Sequence, residues 1–287
     1  MALFNPYRGF ILQNGQITMD ELANMSNFNK KELLRNMMRK LEKESKVTYT
    51  DSKENVTVLY FYRKINEDII ILQFARKKHL KIRIPKENCI EEDKEDDFPY
   101  IYVILDLKTQ VFLFEHKSTV FYSTKGSKNA FMALFNYYLR KYNCTIEFEK
   151  ILDQGEFWHY IDMLDKINII KLSLNSPNLF GGIFATNELL ERLRKLYNNK
   201  KFEFTLINKE NTLKNINKDD MDDSIRYIEN GGGNWSIEGK DNKQNIIKRN
   251  SEELIKKVVI ENIEDEEIMI KEIGKINKGL FEKSKKD

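Results

Sequence analysis

The sequence predicts an α+β protein, with mixed and antiparallel sheets packed against helices and a helical amino-terminal segment. Three observations carry that expectation. Apolar residues first recur at a spacing of three and four, then at a spacing of two from Val47 onward. Beyond that point strand-like and helix-like stretches intermix with no regular βαβ alternation.

The first 45 residues read mostly as helix. Leu33, Leu34, Met37, Met38 and Leu41 form one apolar stripe, and Asn29 is placed to cap its start, since an asparagine oxygen takes a free amide of the first turn. The stretch 17–50 has the rhythm of a winged helix: a short helix, a turn at Ser26 and Asn27, a longer helix, then a strand. Residues 1–16 look extended instead, so a packed amphipathic helix is the simpler reading of 30–44. Strands follow at 55–64, 68–77 and 79–84, rich in β-branched and aromatic residues. The acidic run EEDKEDD at 91–97 reads as an exposed connection, and it places a boundary between a domain at 1–97 and a second at 98–287. The second domain is expected to hold strands at 100–106 and 110–117, helices near 127–142 and 156–165, and strands near 144–150 and 167–175. A helix at 186–197 capped by Thr186, a strand at 201–207, two or three closing strands and a helical tail complete it.

The stretch NGGGNWSIEGKD, beginning at Asn230, tests for a nucleotide site. A phosphate cradle needs Gly-Lys followed by Ser or Thr and then a helix, so that a hydroxyl meets the magnesium and free amides face the phosphate. Here Asp241 follows Gly239 and Lys240, and the residues after the glycines continue as a strand. The sequence therefore predicts a hairpin entered through a flexible or bulged glycine run, and no nucleotide cofactor.

Other chemistry leaves little trace. His79, His116 and His159 stand far apart with no metal-ligand spacing, and Cys89 and Cys144 form no pattern. Free thiols, with no signal peptide and no long apolar run, fit a reducing cytoplasm. No nucleophile, kinase or deaminase motif is present, so no catalytic residue, metal or cofactor is predicted.

Charge is more informative. Forty-eight Lys and Arg nearly balance forty-five Asp and Glu, so only a segregated distribution would favour nucleic acid. Two clusters qualify. Arg76, Lys77, Lys78, Lys81 and Arg83 lie in 74–86, where a strand would put Lys81 and Arg83 on one face and Leu80, Ile82 and Ile84 on the other. Lys30, Lys31, Arg35 and Arg39 are expected on the outer face of the 30–44 helix, away from its apolar stripe. The alternative for both is ordinary solubilising charge, and lysine on an outer strand also blocks edge-to-edge pairing.

The segments FPYIYVILDLKTQVFLFEHKSTVF (98–121), INIIKLSLNSPNLFGGIF (167–184) and IEGKDNKQNIIK (237–248) follow one another in an order that resembles the phage lambda RexA exclusion family and its abortive-infection relatives. The likeness is one of pattern over roughly 55–260 and rests on no catalytic motif. It implies a phage-defence sensor that binds DNA as a homodimer and acts with a membrane effector encoded nearby. Taken with the basic clusters, the expected function is binding of duplex DNA through its backbone, with little sequence preference. An effector nuclease with an unfamiliar site, or a protein–protein module of a defence system, are the rival expectations.

Overall fold

The computed structural model describes residues 1–13, 30–175, 189–190, 192–193, 196–197, 199–210, 212–214, 216 and 218–281. The chain is α+β, and it divides into two compact units. One, the terminal unit, joins 1–12, 109–111 and 147–287; the other, the central unit, holds 13–108 and 112–146.

The chain opens with strand β1 (Ala2–Gln13), within the stretch 1–16 that looks extended in the sequence, so the helical part of the first 45 residues begins later. Phe4, Tyr7, Phe10 and Ile11 are all buried, and such an aromatic and β-branched run satisfies a strand better than a helix.

The central unit begins with helix α1 (Lys30–Glu44) and continues through β2 (Lys46–Thr50), β3 (Val56–Lys64), β4 (Ile69–Arg76), β5 (Lys78–Pro85), β6 (Ile90–Asp97), β7 (Tyr100–Asp106), β8 (Val111–Glu115) and α2 (Thr124–Leu139). Its sheet runs in the order β8-β7-β4-β3-β2, with β2, β3, β4 and β7 antiparallel. Alternation decides the faces. Leu59, Phe74 and Ile101 lie in register on the side that takes the helices, while Tyr60, Gln73 and Tyr102 lie in register on the opposite side. Phe74 stacks on Phe121 and meets Phe131 of α2 edge-on, with centroids 5.1 and 5.3 Å away. The stripe predicted for α1 is buried at Leu33, Leu34, Met38 and Leu41.

Strands β5 and β6 form a separate two-stranded hairpin. The acidic run read as a connection is thus a strand, and it supplies no domain boundary. Strand β4 before it pairs along its length with β7 after it, from Ile69↔Asp106 to Ala75↔Tyr100, so the sheet crosses the division expected at 97.

The terminal unit contains β9's second half (β9, Cys144–Lys150), α3 (Glu156–Asp162), β10 (Lys166–Asn175), β11 (Lys201–Ile207), α4 (Lys218–Tyr227), β12 (Gly233–Lys240), β13 (Ile246–Asn250), β14 (Val258–Ile260) and α5 (Glu266–Phe281). Strand β1 pairs with β14, and a four-stranded sheet runs β11-β10-β12-β13. Trp235, Phe157, Tyr227 and Ile170 are fully buried in its core. The predicted β12–β13 hairpin is present, closed by Asp241, whose carboxylate accepts the amides of Lys243 and Asn245 at 2.9 and 2.8 Å. The glycine run is not a bulge in that hairpin. It ends a buried, kinked turn, Ile228–Gly232, in which Asn230 and Gly231 leave helical geometry, and this turn delivers the chain into β12.

The short first helix of the winged-helix reading, Asn29, Thr186 and most of 186–197 lie outside the described residues. Among the described residues, no helix is long and apolar enough to cross a membrane.

Candidate nucleic-acid interface

The nominated cations fall at three places in the central unit. Most of them face carboxylates. In the hairpin the register sets basic β5 against acidic β6, with His79↔Asp96 and Arg83↔Glu92 directly opposed. Lys77 and His79 both reach Asp96, at 2.6 and 2.9 Å. Lys81 and Arg83 share Glu92 at 3.5 and 3.8 Å, and Lys86 meets Glu91 at 3.6 Å. The Lys77 ammonium, by hydrogen bonding, holds the Asp96 carboxyl below the ordinary carboxylate range, with His79 adding to the effect. The apolar underside expected beneath Lys81 and Arg83 is incomplete as well, because Leu80 is 47% exposed.

Helix α1 repeats the pattern. Arg35 pairs with Asp68, and Arg39 with Glu32 at 2.9 Å and with the Asn36 side chain at 3.0 Å. Lys40 meets Glu44 one turn on, at 3.4 Å. Lys30 and Lys31 begin this helix, and their side chains lie outside the described set.

Arg76 and Lys78 differ. The Arg76 guanidinium donates to the Asn55 side-chain oxygen at 2.8 Å, and the Lys78 ammonium donates to the Thr119 carbonyl. Both partners are neutral oxygens, so each cation keeps its full charge for a ligand. Arg76 lines a cleft of about 440 Å³ with Tyr49, Asn55, Tyr122, Ser123 and Gly126. Asp51 also lines it; hydrogen bonds from Asn55 hold that carboxyl below its ordinary value. One wall is the amino end of α2, where Ser123 caps the helix by accepting the Gly126 amide at 3.0 Å. No acidic residue occupies the first turn there. Tyr122, at the rim, is 91% exposed.

The residues missed by pairing basic clusters with predicted strands are Lys117, Lys125, Lys128, Arg140 and Lys141. A sequence signal marks them. From His116 to Ile146 the chain carries these five cations and no Asp or Glu, although acids number forty-five overall. That segment spans the loop before α2, α2 itself, the 3-10 turn Arg140–Tyr142 and the start of β9. Lys117 lies over the Tyr100 ring at 5.4 Å and Lys141 over the Tyr142 ring at 4.8 Å. Tyr137 is 54% exposed along the same helix. The charge segregation that near-zero net charge conceals thus lies here and not on the hairpin.

Other site chemistries have no geometric focus among the described residues. No group of three or more His, Cys, Asp or Glu is gathered in a way that holds a metal ion. Cys89 is exposed and Cys144 buried. No protein-family model, no curated protein and no solved structure matches the chain.

Proposed function

We propose that this chain is a nucleic-acid-binding protein that grips the phosphate backbone of duplex DNA, with little sequence preference, at the α2 end of the central unit. The single observation that carries the reading is the 31-residue segment 116–146, which holds five cations and no carboxylate. Arg76 and Lys78 adjoin it, and their hydrogen-bond partners are neutral oxygens. The hairpin cations act mainly on β6. Phosphates neutralised by lysine and arginine release condensed counterions, and that release supplies sequence-independent affinity. The resemblance to the RexA exclusion family supports a place in phage defence, as a cytoplasmic homodimeric sensor working with a membrane effector.

The test is anisotropy of a labelled duplex titrated at several salt concentrations. Four phosphate contacts, by Arg76, Lys78, Lys117 and Lys125, give a slope of log K against log salt of roughly −3.6. The double variant Arg76→Ala, Lys78→Ala is expected to bind more weakly on every sequence, with the slope reduced by roughly 1.8. A duplex that fails to bind at low salt, or variants with an unchanged slope, overturns the reading.

A further inference from the structure

The side of the central sheet that faces away from Phe74 carries an unusual composition. In register across β3, β4 and β7 stand Tyr60, Gln73 and Tyr102, and tyrosine suits a pleated, half-buried strand surface. Tyr62 and Tyr100 flank them. The rings of Tyr62 and Tyr102 lie 5.6 Å apart and those of Tyr100 and Tyr102 5.4 Å apart, so three tyrosines form one contiguous group. Tyr62 is 38% exposed, and Tyr60, Tyr100 and Tyr102 are half-buried. Cations bracket the row: Lys46, opposite Tyr60 on β2, lies 5.9 Å from that ring, and Lys117 lies 5.4 Å from Tyr100. One carboxylate, Glu115, is nearby, and its Oε2 accepts the Tyr102 backbone amide at 2.8 Å. Burial and the Tyr100 hydrogen bond push the Tyr102 hydroxyl up to about 12.

We infer that this tyrosine row, from Tyr60 and Tyr62 to Tyr100 and Tyr102 with Lys46 and Lys117 at its ends, is a stacking platform for a single-stranded polynucleotide. An aromatic surface, its rings inclined to one another by 57° and 86° and with a cation at each end, complements a strand whose bases offer π-faces and whose backbone is anionic. In a duplex the base faces are covered by their neighbours, so the platform selects strands whose bases are free to splay. An apolar protein partner would be served by leucine or phenylalanine at these positions and would gain nothing from the flanking lysines. The platform shares Lys117 with the residues proposed to grip a duplex, but its four tyrosines and Lys46 are its own, so variants of Tyr62 and of Arg76 with Lys78 test the two separately.

The experiment uses the full chain and three fluorescein-labelled probes of equal length: dT12, U12 and a 12-base-pair duplex. Tighter binding of dT12 or U12 than of the duplex is expected, and the ratio of the first two says whether the strand is DNA or RNA. Tyr62→Leu should weaken single-strand binding by roughly 5- to 100-fold, as loss of one stacked base does. Tyr62→Phe, which keeps the ring, should bind as the wild type does. Because Tyr62 is substantially exposed, an unchanged melting temperature is expected for both variants. Photocrosslinking of 4-thiothymidine-substituted dT12, mapped by mass spectrometry, should label Tyr62 or Tyr100 whatever the stability of the variants. The inference is overturned if the single strands bind no tighter than the duplex, if Tyr62→Leu leaves single-strand affinity unchanged, or if the crosslinks map away from the row. Loss of duplex binding in Arg76→Ala, Lys78→Ala with no effect of Tyr62→Leu leaves the duplex reading standing alone; the reverse leaves only the platform.

Discussion

The β5–β6 hairpin and the turn at 228–233 both crowd polar groups together, under opposite physical regimes. In the hairpin the charges are solvated. Asp96, Glu92, Lys81 and Arg83 keep roughly half or more of their side-chain surface in water, where screening leaves each pair worth little. At the turn the polar groups are sealed. Glu229 is 3% exposed; its Oε1 accepts the Gly155 amide and its backbone carbonyl accepts the Leu152 amide, both at 2.8 Å. Tyr227 donates to the Asn175 carbonyl at 2.7 Å, and the Asn175 amide donates to Glu149 at 2.9 Å. Desolvation strengthens such bonds and raises the cost of losing one. The exposed array is therefore available for tuning affinity, and the buried one holds the terminal unit together.

The largest effect should come from the glycines of the turn. A Cβ on Gly233 would lie 1.9 Å from the Ser173 carbonyl oxygen, and β10 cannot yield there without leaving its pairing with β12. Gly233→Ala is expected to cost about 3 kcal/mol or more, read as a fall in the urea midpoint. An unchanged midpoint would mean that the turn is not packed as described. Gly231 adds a backbone reason, since its φ of +78° is one that side chains resist.

Next comes Glu229. Burial pushes its carboxyl up to about 7 from 4.5, against the opposing hydrogen bond from Gly155; Asp222 and Glu156 raise it further and Arg226 lowers it. The folded state then holds a proton that the unfolded chain has released. Stability from this group is complete below 4.5, falls as pH rises from 4.5 to 7, and stays reduced above. The loss is on the order of 3 kcal/mol at most. Glu229→Gln should flatten that part of the stability profile, leaving the variant at least as stable as wild type at pH 8.5 and not at pH 5. A parallel pair of profiles would remove Glu229 as the source.

The hairpin should respond in affinity and not in stability. The double change Glu92→Gln, Asp96→Asn frees Lys77, Lys81 and Arg83 from their carboxylates. Duplex affinity should then rise, with each newly engaged phosphate adding about 0.9 to the salt slope, while the melting temperature stays within error. An unaltered slope would show that β5 lies away from the nucleic acid. The smallest effect belongs to Tyr122, which is 91% exposed: Tyr122→Ser should shift stability by less than about 0.5 kcal/mol in chemical unfolding.

Much of the fold is legible locally. The apolar stripe of α1 and the aromatic, β-branched strands 100–106 and 201–207 emerge where period and composition put them. Strand β6 was not legible, because EEDKEDD has the composition of a solvated connection and no strand propensity. It is a strand because Lys78–Pro85 lies beside it with opposite charge. The proposed interface was half legible. The basic residues at 76–83 are conspicuous, whereas the absence of acid across 116–146 is a signal only to a reader who counts what is missing. The tight packing of the glycine run against Ser173 and Arg8 was not legible, because both lie far away in sequence.

The sequence by itself determined the α+β class, most element positions and the inventory of cations, because these follow from period, propensity and composition within short windows. The tertiary structure alone decided which cations meet carboxylates, which tyrosines share a sheet face and which carboxyl is sealed from water. Strand pairing and burial are made between residues tens of positions apart, and no local window contains both partners.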